Sequence, residues 1–125
     1  MLLAKFVAKG ESATFTEITV SSLPGDGGGL LANVNRWRRQ LGLAPFTESD
    51  LGSNSTGIPV QGRSAVVVEF TGTDSKSGKP AKLVGAILPH GSHTWFFKMM
   101  GDIQASESQK TSFLKFVQSI RFPDV

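Results

Sequence analysis

Ala65-Val66-Val67-Val68-Glu69-Phe70, Leu83-Val84-Gly85-Ala86-Ile87-Leu88 and Trp95-Phe96-Phe97-Lys98-Met99-Met100 are three apolar runs set in series. Each is short and rich in β-branched or aromatic residues, which suits a strand better than a helix. They sit within the segments Arg63 to Thr73, Ala81 to Pro89 and Ser92 to Met100. The links between them, Asp74-Ser75-Lys76-Ser77-Gly78-Lys79-Pro80 and His90-Gly91, are made of turn residues. Three strands joined by such links should form an antiparallel meander. Large apolar side chains fall on both faces of these strands. A sheet that is apolar on both sides needs cover on both sides.

Two segments of helical period can supply that cover. Leu30 to Leu41 places Leu30, Val34, Trp37 and Leu41 in one narrow stripe, and Gly42 and Pro45 follow as stop signals. Ala105 to Ile120 gathers Gln109, Phe113, Phe116, Val117 and Ile120 on one side. Upstream, Leu2 to Lys9 and Ala13 to Leu23 have strand composition, with Gly10-Glu11-Ser12 as the expected hairpin turn. Phe46 to Gly62 has no sustained period. It is expected to be a surface loop with room for one short helical turn near Glu48 to Leu51. Loops of that length are often functional. The expected fold is therefore α+β: an antiparallel sheet flanked by helices on both faces, an α/β/α sandwich, in the order β-β-α-loop-β-β-β-α. One domain should span residues 1–125.

Composition sets further bounds. The chain has 125 residues, 39% hydrophobic and 18% charged, a globular balance rather than a disordered one. No window approaches the ~18 continuous apolar residues of a membrane-spanning helix. There is no cysteine, which excludes disulfides, thiolate zinc sites, iron–sulfur clusters and a cysteine nucleophile. Net charge is +3, from 13 basic and 10 acidic residues. Arg36, Arg38 and Arg39 form a basic triplet, expected to be a solvated helix edge and too sparse for nucleic acid. Met1-Leu2-Leu3-Ala4-Lys5-Phe6 lacks a small-residue cleavage site and has the character of mid-domain strand. The expectation is a fragment of a longer exported precursor. The compartment stays open: periplasmic or envelope-associated if an export signal was removed, otherwise cytoplasmic.

Two stretches carry a family resemblance. Thr94-Trp95-Phe96-Phe97-Lys98, then Phe113-Leu114-Lys115-Phe116-Val117-Gln118-Ser119-Ile120-Arg121-Phe122, resembles the last strand and closing helix of the PsbP-like family. That family includes photosystem II extrinsic proteins and a Ran-GTPase-binding nuclear import factor. Gly27 to Leu43 is similar to small bacterial proteins of the same layout, often exported or lipid-anchored. The resemblance implies the sandwich fold and a binding or assembly role rather than catalysis. An acidic Ran-binding surface and photosystem-specific segments have no counterpart here, so neither partner is implied.

The chemical motifs are sparse. Gly72-Thr73-Asp74-Ser75-Lys76-Ser77-Gly78-Lys79-Pro80 fails as a phosphate loop, because the glycine spacing is wrong, Pro80 replaces the hydroxyl, and a strand follows. Ser92 lacks a nucleophile elbow, and Ser112-Phe113-Leu114-Lys115 lacks companion motifs. Asn54-Ser55-Thr56 spells a glycosylation sequon that matters only in a secreted eukaryotic protein.

Three groups remain as candidates. Gly27, Gly28 and Gly29 precede a helix, where free N–H groups can hold an anion. His90 and His93 flank a turn and could bind a metal only with a third ligand such as Asp102. Asn33, Arg36, Arg39, Trp95 and Lys98 are the candidate binding residues, since tryptophan and arginine favour interfaces. The function expected is a non-enzymatic binding or assembly module, with no cofactor and a protein partner of unknown identity. The alternative is a small-ligand or anion-binding domain, or a weak hydrolase, with a pocket near Gly27 to Gly29, Trp95 and the two histidines.

Overall fold

The computed structural model describes residues 2–9 and 15–122. The expected turn at Gly10-Glu11-Ser12 lies outside them. Six strands form one antiparallel sheet: β1 (Leu2–Lys9), β2 (Phe15–Pro24), β3 (Thr56–Val60), β4 (Arg63–Thr73), β5 (Pro80–His90) and β6 (His93–Gly101). Their spatial order is β1-β2-β6-β5-β4-β3. Three helices accompany the sheet: α1 (Leu30–Gln40), α2 (Glu48–Ser53) and α3 (Ile103–Gln118). No helix among the described residues is long and apolar enough to cross a membrane.

The expected loop from Phe46 to Gly62 holds the short helical turn expected near Glu48 to Leu51, as α2, but it also contains β3, so its reading as a loop is corrected and the expected order lacks one strand. α2 starts at a capping box, in which Thr47 Oγ1 accepts from the Asp50 N–H and Asp50 Oδ2 accepts from the Thr47 N–H. β3 pairs with β4 from Thr56 opposite Val67 to Val60 opposite Arg63. It can include Pro59 because it is an edge strand. The connection to β4 is the two-residue turn Gln61-Gly62, with φ of 49° and 78°, the left-handed pair a tight hairpin requires.

Strand alternation sorts the core into two clusters. Ala65 and Val67 of β4, Val84, Ala86 and Leu88 of β5, and Phe97 and Met99 of β6 pack with Phe113 and Val117 of α3. The intervening residues Val68, Phe70, Leu83, Ile87 and Phe96 pack with Val34 and Trp37 of α1. Trp37 fits because Gly85 is bare: a Cβ there would lie 2.2 Å from Trp37 Cζ3. α1 ends in a left-handed turn at Gly42, φ 68°. The Gly42 N–H donates to Arg39 O and the Leu43 N–H to Arg38 O, which satisfies two terminal carbonyls.

Several polar side chains act as braces. Asn35 donates to Phe46 O and accepts from the Phe46 N–H, holding the α1–α2 connection. Gln61 does the same for the backbone of Phe122. Arg38 is not the solvated residue expected. Its guanidinium lies 3.7 Å from the Phe46 ring centre, and its Nε donates to Ala44 O at 2.7 Å. Near the start of α3, the buried Lys82 ammonium donates to Glu69 at 2.8 Å and to Glu107, and Lys110 pairs with Glu69.

Candidate functional site

Lys98 is the one charged residue inside the apolar run of β6. Its register partners are Thr19 on β2 and Gly85 on β5. It is half-buried, and its Nζ donates to Gln40 Oε1 at 2.8 Å. Gln40 is the last residue of α1. Its main-chain carbonyl accepts from the Ser75 N–H at 2.9 Å, and Leu41 O accepts from the Thr73 N–H at 3.0 Å. The β4–β5 connection is thereby bonded to the end of α1, and Asp74 and Lys76 come to the same place. On the other side, Lys5 of β1 and Glu17 of β2 form an ion pair of 3.2 Å.

These elements enclose an open cleft of about 380 Å³, with Lys98, Met100 and Gly101 along the β6 wall. That is at the small end of the range for small-molecule sites. No carboxylate among the described residues lies within ion-pair distance of Lys98. Burial pushes the Lys98 ammonium below the ordinary lysine range. The charges of Arg36 and Lys76 push the same way, while Glu17 and Asp74 oppose them. A desolvated cation held by a neutral amide is stabilised by any anion that enters.

The structure separates the other sequence-derived candidates. Arg36 and Arg39 are exposed on α1, and only Arg36 is close enough for its charge to act on Lys98. Asn33 is buried, with its Nδ2 donating to Gly27 O and Gly29 O. The three glycine N–H groups are already used: Gly27 donates to Pro24 O, Gly28 to Asp26 Oδ1 and Gly29 to Asp26 O. Trp95 is an odd number of residues from Lys98 and so points from the opposite face of β6. Its ring meets Phe122 edge-on at 5.2 Å. His90 stacks on the same Phe122 at 3.8 Å, and His93 Nδ1 lies 3.1 Å from Ser92 Oγ. Asp102 caps α3, accepting from the Ala105 N–H at 3.0 Å. Among the described residues, no group of three His, Asp or Glu could hold a metal ion. Gly27 lies against Phe96, on the face away from Trp95. The glycines, Trp95 and the histidines therefore do not share one pocket.

No family model and no curated protein matches the sequence. Solved structures share the fold, among them the following one. It is a crystal structure of PA94 from Pseudomonas aeruginosa, a protein of unknown function described as a candidate regulator. The TM-score is 0.62 at 11% identity, over 98% of this chain and 83% of that one. A likeness at that identity speaks for the fold alone.

Sequence reading singled out Lys98 but missed Lys5, Glu17, Gln40, Asp74 and Lys76. They come from β1, β2, the end of α1 and the β4–β5 connection, and only the sheet order brings them together. The available signal was Lys98 itself, a lone charge in a buried strand, which calls for polar company nearby.

Proposed function

We propose that the protein is a non-catalytic binding module of PsbP-like architecture, and that the Lys98 cleft is its binding site for a ligand or partner segment bearing a carboxylate. The two core clusters support the sandwich, with α1 and α3 as covers of the sheet's two faces. The single observation behind the site is the half-buried Lys98 ammonium, bonded to an amide and not to a carboxylate, in an open cleft. Ionic groups removed from water are normally paired. An incoming carboxylate supplies the missing partner. Lys98 has two remaining donor positions for it, since an ammonium carries three.

Among the described residues, the one nucleophile–base contact, Ser92 to His93, lies on an exposed turn. No carboxylate among the described residues pairs with that histidine. It therefore lacks the third group that orients a catalytic base.

Two-dimensional NMR at low ionic strength tests the site. Propionate should shift the backbone amide signals of Thr19, Lys98 and Gly101 in a saturable way. Lys98→Met, which keeps the apolar stem, should abolish the response while leaving the rest of the spectrum in place. An equal response in Lys98→Met, or none in the parent protein, overturns the reading.

A further inference from the structure

The cleft is not uniformly basic. Lys5, Lys76 and Lys98 supply cations, and Glu17 and Asp74 supply carboxylates on the same lining. Glu17 stands opposite Met100, two positions along the ladder from Lys98. Diagonal neighbours of that kind are separated by roughly 7–8 Å, and Lys98 and Glu17 form no ion pair with each other. Lys5 answers only part of the Glu17 charge, since that pair is about half-exposed on both sides, at 54% and 49%. The end of α1 that reaches the cleft is its carboxyl end, where the helix dipole favours cations.

This arrangement is wrong for phosphate. Phosphate sites rely on several backbone N–H donors or a helix N-terminus. Here the Ser75 N–H is spent on Gln40 O, and the Lys76 N–H on Asp74 Oδ1.

We infer that the cleft takes a zwitterionic amino carboxylate, of the class of a free α-amino acid. Its carboxylate meets Lys98 Nζ, its ammonium meets Glu17 and Asp74, and its side chain lies over Met100 and Gly101. The inference rests on the reading of the cleft as the binding site, and adds the amine pole to it.

The test compares three probes of similar size on the intact protein by NMR titration: L-alanine, propionate and propylamine. L-Alanine should bind at least about tenfold more tightly than either of the others. Glu17→Gln should remove the advantage of L-alanine over propionate, and should not weaken propionate, since it takes a negative charge out of the cleft. If propionate binds through Lys98 and L-alanine binds no more tightly, the zwitterion is wrong and the carboxylate site stands. If none of the three binds, both fail.

Discussion

Gly85 has no side chain because Trp37 occupies the space one would fill. The indole carbon that a Cβ would meet at 2.2 Å belongs to a rigid, buried ring with no room to retreat. Gly85→Ala should therefore cost about 1–3 kcal/mol, the usual range for overpacking a core, read as a lower urea midpoint at unchanged slope. Sequence reading placed Trp37 in the core but gave no reason for a glycine within the strand Leu83 to Leu88. The pair is legible only once strand and helix are superposed. Asn35 and Gln61 were illegible for a different reason. Each bonds a backbone edge far along the chain, 11 and 61 residues away, and nothing in an isolated amide marks such a partner. Asn35→Ala removes both bonds to Phe46 and leaves partly buried backbone groups unpaired. We expect a loss of about 1–3 kcal/mol by thermal or urea unfolding, with Asn35→Asp recovering the acceptor half only.

Among the elements, α1, α3 and the three-strand meander were foreseen within a few residues, since long periodic or strongly β-branched segments announce themselves. β3 was not. Thr56-Gly57-Ile58-Pro59-Val60 has one buried residue, Val60, and a proline, so its identity comes from pairing with β4 and not from its own pattern. The fixing of α3 to β4 and β5 gives a pH-dependent prediction. Burial alone raises the Glu69 pKa, but hydrogen bonds from Lys110 and Lys82 more than reverse this and leave it below its ordinary 4.5. Its stabilising effect is present above 4.5 and is lost as pH falls through the lower folded value. Burial alone lowers Lys82, but its bonds to Glu107 and Glu69 leave it above the ordinary 10.5. That contribution is present below 10.5 and is lost as pH rises through the higher folded value. The contribution of these ion pairs, read by urea unfolding, should be level between these limits and fall on both sides. Glu69→Gln should flatten the acid limb, and an unchanged acid limb in that variant would remove Glu69 from the account.

At the scale of the molecule, the α+β class and the antiparallel sheet follow from the sequence, whereas the binding cleft does not. Its lining comes from β1, β2, β6, the end of α1 and the β4–β5 connection, and no local pattern says that β2 will lie beside β6. That adjacency has a kinetic consequence. Strands β3, β4 and β5 each pair with the next strand in the chain, so their loops are short to close. The N-terminal hairpin reaches them only through β2 and β6, where Gly25 and Thr94 are 69 residues apart in sequence. Closing that long loop is entropically costly and tends to come late in folding. Native-state hydrogen exchange should show the amides of β1 and β2 opening at lower free energy than those of β4 and β5. Lys5 and Glu17 arrive with that hairpin. A newly made chain would thus gain its shape first and its receptor chemistry last, and a ligand bridging Lys98 to Glu17 would act as a latch on the final step of assembly.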